Sequence, residues 1–233
     1  DEEPMVARDE PYDFTIVMPV WNGMPWLSEA VASVDAQRDG LRIEHIVFDA
    51  GSTDGSREWL TAHPHPDRTH IFAADDGQAD ALQRGFARAR GRCLGWLNAD
   101  DVLEPGALAL AAAALVDDVV CVSGACFVID ADGNFVSLIS NLEASTTEGL
   151  LHRAGNLPQP ATFFTRAAYL RCGGIDPALV YAMDVDLWLK LSKVGRVVRC
   201  PDRVLARFRV HGGAKTVQHA KRALWEDLRV RLR

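Results

Sequence analysis

The chain has 233 residues, of which 24% are charged and 48% hydrophobic, which is ordinary for a globular protein with a substantial core. Its net charge of −7 and its pI near 5.5 argue against a general nucleic-acid-binding protein, which would be basic. No stretch reaches the roughly 18 apolar residues that a membrane span requires, and no signal peptide is recognisable.

The five cysteines are odd in number and show no Cys-x-x-Cys spacing. Cys93, Cys121 and Cys200 fall in strand-like apolar runs, which is typical of buried, reduced thiols. Reduced thiols indicate a reducing compartment. We therefore expect a cytoplasmic protein, either free or peripheral to a membrane.

Charge and apolar pattern divide the chain into three segments. Residues 1–12 are rich in acids with few apolar anchors, which predicts a mobile acidic leader. Residues 13–213 form the predicted domain. Residues 214–233 are basic and predict an amphipathic C-terminal helix, in which Ala220, Leu224 and Leu228 recur every four residues. We expect this helix to dock on the domain or on a partner rather than on a membrane.

Alternating strand and helix patterns fill the first half of the domain. Apolar runs at 14–18, 43–48, 70–73 and 93–97 predict strands, with Pro19 ending the first, and residues at helical spacing predict helices between them. This repeat predicts a parallel, doubly wound sheet. A helix at 107–116, a long strand at 119–129 and a hairpin strand at 135–139 then follow. We predict one α/β domain with a nucleotide-binding half and a mixed, acceptor-facing half.

A cluster of polar side chains ends the fourth predicted strand. Asn98, Asp100 and Asp101 follow a buried apolar run, and side chains this close repel one another unless a cation lies between them. Mg²⁺ and Mn²⁺ suit such oxygens, with substrate phosphates completing the coordination shell. Ligands bind at the carboxyl ends of strands in open α/β sheets, where this cluster falls. The alternative is that the two aspartates only cap the next helix, and the cluster alone does not decide.

Two further stretches suggest nucleotide binding. Asp49 ends the second predicted strand, but the Gly-x-Gly-x-x-Gly loop of a dinucleotide site is missing after the first strand, which argues against NAD. Trp21 lies there instead and could stack on a base while Asp49 accepts from a base N–H, although an ordinary rim tryptophan fits as well. Asp76 and Gly77 precede a helix as a turn or as a point of close approach to a nucleotide.

Seven motifs follow one another at residues 19–22, 49–56, 76–85, 98–101, 159–164, 183–189 and 209–213. Together they resemble the family-2 glycosyltransferases, inverting enzymes of the GT-A fold that use nucleotide-diphosphate sugars. The resemblance covers residues 14–213. The chain departs from the common pattern at Ala50 and Asn98, where many members have aspartate. The loss of a charge at Asn98 is expected to weaken metal affinity without removing the metal.

The resemblance implies a role for each motif. It places Pro19, Trp21 and Asn22 around the base, which Asp49 reads. It makes Asp184 the catalytic base. The other implied contacts are Asp76, Gln78, Asn98 and Asp100 with the donor and Asp101 with Mn²⁺ or Mg²⁺. His211 follows a strand in a glycine-rich loop and could reach the metal or the diphosphate, although a lone histidine is more often structural. Gln159 could line the acceptor or sugar pocket or be an ordinary loop glutamine.

The implied reaction moves a sugar from a nucleotide-diphosphate donor, expected to be a UDP-sugar, to a hydroxyl of a glycan or lipid-linked acceptor. Direct displacement needs a general base at the acceptor hydroxyl and a cation at the leaving diphosphate. A nucleotidyltransferase is one alternative, but residues 19–26 lack the Lys or Arg of its usual loop. The other is a non-catalytic sugar-nucleotide-binding module, which would not need Asp184.

Helical spacing selects Asp184 over Asp186. Asp184 precedes Leu187 and Trp188, which mark a buried helix face, whereas Asp186 precedes Lys190 by four residues and predicts a solvated ion pair. Asp184 could instead be only the N-cap of this helix. The helix N-terminus is expected to keep its carboxylate ionised.

Overall fold

The computed structural model describes residues 12–140, 149, 157–213 and 220–232. The strands are β1 Tyr12–Val20, β2 Ile43–Asp49, β3 Arg68–Phe72, β4 Gly91–Trp96, β5 Val102–Leu103, β6 Val119–Ile129, β7 Phe135–Ile139, β8 Thr162–Thr165 and β9 Arg196–Arg209. The helices are α1 Leu27–Asp35, α2 Ser56–Ala62, α3 Gln78–Phe86, α4 Ala107–Ala114, α5 Arg166–Arg171, α6 Met183–Ser192 and α7 Ala220–Arg231. The predicted leader lies outside the described residues, apart from residue 12.

The strands form one sheet in the order β3-β2-β1-β4-β8-β6-β9-β5, with β7 paired to β6. Strands β1 to β4 are parallel, as predicted, and the connecting helices cover the sheet on both faces. The second half is mixed, because β8 is antiparallel to β4 and β6 whereas β9 is parallel to β6. The predicted α/β architecture with a mixed second half is confirmed.

Strand β1 runs one residue past Pro19, where the sequence predicts that it ends. Its pairing with β4 stops at Val17, whereas its pairing with β2 continues through Pro19 and Val20. A proline lacks an N–H and fits a strand where only one side is paired. This extension carries the chain to the edge of the sheet at which the next loop begins.

Two apolar cores pack on the faces of the sheet. Helices α1 and α4 bury Leu27 and Leu108 on one face, and α3 and α6 bury Leu82 and Trp188 on the other. The indole of Trp188 stacks on Trp96 at the end of β4, with ring centroids 5.6 Å apart. The core therefore fixes helix α6 against the strand end that precedes the acidic cluster.

The C-terminal helix α7 packs on the domain through Val230, which is buried in the same core as Trp188. Leu224 and Leu228, on which the prediction of a docking face rests, are instead exposed. Among the described residues, no helix is both long and apolar enough to cross a bilayer. All five cysteines are free thiols.

Candidate active site

A cavity of about 1200 Å³ opens at the carboxyl ends of the parallel strands. The first half of the chain lines it with residues 19–23 after β1, Ala50 after β2, Asp75, Gly77 and Gln78 before α3, and residues 98–100 after β4. The second half contributes Pro158 and Gln159, Tyr181, Met183 and Asp184 at the start of α6, and Arg209 and His211 after β9. Nearly all of the motifs singled out in the sequence meet at this one cavity.

The two adjacent aspartates point in different directions. Asp101 is 0% exposed, and its carboxylate accepts hydrogen bonds from the backbone N–H of Arg209 at 2.9 Å and from Nδ2 of Asn98 at 3.0 Å. Burial, followed by the charge of Asp100, raises the pKa of Asp101 well above its ordinary value. Asp100 lines the cavity, and its Oδ2 lies 2.9 Å from Nε2 of His211. This geometry argues against the prediction that Asp101 holds the metal, because its oxygens are enclosed and engaged.

Asn98 links three polar side chains and cannot be replaced freely by the aspartate of the common pattern. Its Oδ1 accepts from Nε2 of Gln78 at 2.7 Å, while its Nδ2 donates to Asp101 and to Oε1 of Gln159 at 3.1 Å. Gln159 in turn donates from Nε2 to the carbonyl of Trp96 at 2.8 Å. An amide donates and accepts at once, whereas a carboxylate only accepts. Here Asn98, Gln78 and Gln159 hold the acidic loop in shape.

We expect Asn98→Asp to lower the free energy of unfolding by about 1–3 kcal/mol, since it removes two donated hydrogen bonds and places two carboxylates together. The loss should grow as pH rises and both acids ionise. Chemical denaturation at several pH values measures it. Asn22→Asp is the matched control, because Asn22 is exposed and uses only its Oδ1, which accepts from Thr53 N–H at 2.9 Å. Equal losses for the two variants would contradict the role given to Asn98.

Arg209 and Trp26 complete the site, and the sequence analysis assigns neither of them a role. The Arg209 guanidinium is 2% exposed, donates to the backbone carbonyl of Asp100 at 2.9 Å and pairs with Glu29 at 2.6 Å. The Trp26 ring packs on His211 with centroids 4.3 Å apart. Arg209 lay within a recognised motif, but its contacts join segments that are about a hundred residues or more apart. Trp26 carried no signal beyond its place near the start of a helix.

The loops after β1 and β2 are joined by hydrogen bonds. Asn22 N–H donates to Ser52 Oγ at 2.8 Å, and Asn22 itself adopts a positive φ of 51°. Asp49 accepts at Oδ1 from the N–H groups of Gly51 and Ser52, a turn for which Gly51 supplies a φ of +104°. The Trp21 ring is 65% exposed and lines the cavity beside this turn. The loops therefore present a free aromatic face.

Asp49 is fully buried behind Ala50 rather than on the cavity wall. Its Oδ2 is enclosed and has no hydrogen-bond partner among the described residues. Asp76 also differs from its expected place, because it is exposed outside the cavity whereas the preceding Asp75 lies on the wall. Gln78, in contrast, lies on the wall as well as in the Asn98 network.

Asp184 occupies the second position of helix α6, since the N-cap is Ala182. Its half-buried carboxyl lines the cavity and accepts from the Val185 N–H at 2.8 Å. Burial raises the pKa of Asp184 to about 6, so burial outweighs the helix N-terminus that was expected to keep the group ionised. Asp186 is paired with Lys190 at 2.6 Å as predicted, but it is 8% exposed and not solvated.

The described wall of the cavity is acidic. Asp75, Asp100 and Asp184 face it, and Arg209 is the one arginine or lysine on that wall. The Arg209 charge is already matched by Glu29. A diphosphate would meet net repulsion here unless a cation entered with it. Among the described residues, no group of three or more His, Cys, Asp or Glu could hold a metal by itself.

Asp100 and His211 are the residues that fit a divalent cation. A carboxylate oxygen and an imidazole nitrogen 2.9 Å apart face one cavity. Carboxylates suit Mg²⁺ and Mn²⁺, and imidazole is a common metal ligand. Few protein ligands are needed, because Mg²⁺ and similar ions often take the rest of their shell from substrate phosphates and water.

The mixed sheet with its cavity at the carboxyl ends of parallel strands is the GT-A fold of glycosyltransferases. The mannosyltransferase PcManGT from Pyrobaculum calidifontis, solved with GDP-Man and Mn²⁺, superposes with a TM-score of 0.71 at 22% identity, over 93% of this chain and 63% of that one. S. aureus TarS, solved with UDP-GlcNAc, gives a TM-score of 0.67 at 16% identity, over 87% and 60% of the two chains.

Sequence comparison identifies the family. The family model described as glycosyl transferase family 2 matches residues 15–171, more than half of the chain, and the protein belongs to this family. Chondroitin synthase of Escherichia coli is 29% identical over 185 residues, which are 78% of this chain and 26% of that protein. The chain spans about a quarter to two fifths of the length of five of the curated relatives that it matches. The predicted resemblance to this family is confirmed.

Proposed function

We propose that the protein is a metal-dependent, inverting glycosyltransferase that moves a sugar from a UDP-sugar to a hydroxyl of a glycan or lipid-linked acceptor. The observation that carries the proposal is the acidic cavity, in which Asp100 pairs with His211 and Asp184 has a raised pKa. An acid poised near neutral pH inside a ligand-sized cavity is typical of a catalytic group.

Asp100 and His211 would hold Mn²⁺ or Mg²⁺ together with the diphosphate of the donor. The ion supplies positive charge for the leaving nucleoside diphosphate. Trp26 packs on the His211 ring, and Arg209 holds the backbone of Asp100, so these two residues orient the pair. In this proposal Asp101 does not contact the ion. It stabilises the loop after β4 through its hydrogen bonds with Asn98 and the Arg209 N–H.

Asp184 acts as the general base in this proposal. With a pKa of about 6 it is mostly deprotonated above neutral pH, yet it is basic enough to accept the acceptor's proton in the transition state. A single displacement inverts the anomeric centre and needs no protein nucleophile. Gln159, tied to Asn98, is placed to contact the transferred sugar or the acceptor.

We expect kcat to rise about tenfold per pH unit below pH 6 and to level off above it, because only the deprotonated form of Asp184 can accept a proton. A pH–rate profile at saturating donor and acceptor measures this. A flat profile between about pH 5 and 7 would exclude Asp184 as the titrating base.

The base-binding end is proposed to be formed by Pro19, Trp21, Asn22 and Asp49. The Oδ2 of Asp49 has no hydrogen-bond partner among the described residues and would accept from a base N–H if the Ala50 backbone moved aside, and Trp21 offers a face for stacking. We expect UDP to bind more tightly than GDP or ADP. Calorimetry with Mn²⁺ and each of the three nucleotides tests the choice, since TarS was solved with a uridine donor and PcManGT with a guanosine donor. Equal affinities, or a purine preference, would refute the uridine assignment.

A donor-hydrolysis assay distinguishes the proposed enzyme from a non-catalytic sugar-nucleotide-binding module. An enzyme with a positioned base should release free sugar slowly from a bound UDP-sugar in the presence of Mn²⁺, and a binding module should not. The acceptor is proposed from the relatives, among them a chondroitin synthase, which would place this protein in polysaccharide biosynthesis.

A further inference from the structure

Helix α7 reaches the loop that leads into the helix bearing Asp184. Oε1 of Glu226, on α7, accepts hydrogen bonds from three consecutive backbone N–H groups: Val180 at 2.9 Å, Tyr181 at 2.6 Å and Ala182 at 2.8 Å. No role follows for Glu226 from the sequence, since it is one charge among many on a basic C-terminal segment.

These contacts hold the backbone where it enters helix α6. Ala182 is the N-cap of α6, and no side chain of the cap residue bonds to the helix. The first N–H groups of a helix have no partner within it, and a carboxylate is favoured there by the helix dipole. Glu226 therefore satisfies the N–H of the N-cap residue from a position 44 residues away, together with the N–H groups of the two residues before it.

This loop is also a wall of the cavity. Val180, Tyr181, Met183 and Asp184 all line it, so one carboxylate oxygen fixes the stretch that presents the proposed base. Helix α7 is itself anchored, because Val230 is buried against the core that contains Trp188 of α6. Because Glu226 sits on this anchored helix and holds the backbone at 180–182, it restricts the movement of that part of the cavity wall.

We propose that Glu226 is a positioning residue, which holds the loop at 180–182 so that Asp184 points at the acceptor hydroxyl. This rests on the proposed role of Asp184 as the base. In the proposed function, the donor binds other parts of the cavity wall, formed by the loops after β1, β2 and β4. Loss of Glu226 therefore affects turnover and acceptor use, but not nucleotide binding.

The test compares Glu226→Ala, Glu226→Gln and a control, Arg222→Gln, which removes an exposed charge one helical turn away. We expect Glu226→Ala to lower kcat about 100-fold, as a misplaced catalytic group does, with the affinity for UDP and Mn²⁺ unchanged. Glu226→Gln keeps an acceptor oxygen at the same reach and should restore kcat to within about tenfold of the wild type. Arg222→Gln should behave as the wild type.

Three results would overturn the proposal: a kcat of Glu226→Ala equal to that of the control, a loss of UDP affinity parallel to the loss of kcat, or no recovery in Glu226→Gln. If the alanine variant does not fold, Glu226→Asp takes its place in amide hydrogen exchange, because its carboxylate is one methylene shorter and falls short of the three N–H groups. The N–H groups at 180–182 should exchange faster in Glu226→Asp than in the wild type and in Glu226→Gln, and unchanged exchange in Glu226→Asp refutes the clamp. If the wild-type protein showed no transferase activity, the proposed function would be refuted instead. The hydrogen-exchange experiment would still test whether Glu226 holds the loop at 180–182, because it does not depend on activity.

Discussion

Asp184→Asn is expected to lower kcat by about 10²–10⁴-fold, the usual contribution of a general base, while UDP and Mn²⁺ bind as in the wild type. Asparagine has the shape of aspartate but cannot accept a proton at neutral pH. The separation of turnover from binding follows from the position of Asp184 on helix α6, away from the loops that are proposed to hold the nucleotide. Steady-state kinetics and calorimetry on the same preparation measure the two quantities.

The same substitution should stabilise the fold at neutral pH. The pKa of Asp184 rises from 3.8 to about 6 on folding, so the folded state binds the proton more tightly and loses stability as pH rises through that window. Removing the ionisable group should therefore gain about 1–2 kcal/mol above pH 6 and nothing below pH 4, allowing for partial exposure of the carboxyl. Denaturation curves at pH 4 and 8 show the difference.

Asp186→Asn provides the control for Asp184. Asp186 lies two residues further on, is nearly buried, and pairs with Lys190 away from the cavity wall. Its replacement should preserve turnover and reduce stability. Near wild-type turnover of Asp184→Asn, or loss of turnover in Asp186→Asn alone, would show that the mechanism assigns the wrong acid.

Asp100→Ala is expected to remove the Mn²⁺-dependent part of UDP affinity, a loss of at least about 10–100-fold. Asp100 faces the cavity beside His211, and the wall has no unpaired arginine or lysine among its described residues to replace the ion. Titration of UDP with and without Mn²⁺ isolates this increment. Without the metal, the variant should bind UDP no worse than the wild type, because one repelling charge has gone.

Asp101→Asn distinguishes the two assignments. The family resemblance assigns the metal to Asp101, whereas the structure encloses this side chain between the Arg209 N–H and Asn98. We therefore expect Asp101→Asn to lower stability, since its amide N–H₂ would face that of Asn98, and to keep the Mn²⁺ increment. If Asp101→Asn lost the Mn²⁺-dependent part of the UDP affinity while Asp100→Ala retained it, the metal would belong to Asp101 as the family resemblance implies.

Periodicity in the sequence predicts the sheet and where its loops fall, because apolar runs and turn residues act locally. It therefore predicts the end of β2 at Asp49 and the polar loop after β4 correctly. It does not decide which of two neighbouring acids faces a cavity, because adjacent residues point in opposite directions. Asp101 turns inward to meet Arg209, which lies 108 residues later, and Asp75 rather than Asp76 reaches the wall.

Contacts between distant segments explain the residues that sequence analysis missed. Trp26, Arg209 and Glu226 act through partners on loops that are distant in the chain. The partners of Arg209 and Glu226 are backbone groups, which no motif records. Asn98 differs from these residues, because the sequence alone shows that the position is unusual. There a departure from the family pattern is visible in the sequence, and only the structure supplies its reason, because an amide at that position donates to Asp101 and Gln159.

The turn between β6 and β7 is held to the donor side of the cavity through its backbone. Nε1 of Trp26 and the guanidinium of Arg209 both donate to the carbonyl oxygen of Ala131, whose own side chain is exposed. Every amino acid has that carbonyl, so evolution is free to vary the residue at 131, but an insertion or deletion would displace the oxygen itself. Engineering of this hairpin should therefore substitute its amino acids while keeping the number of residues. A library of such substitutions would leave the Trp26–His211 contact in place.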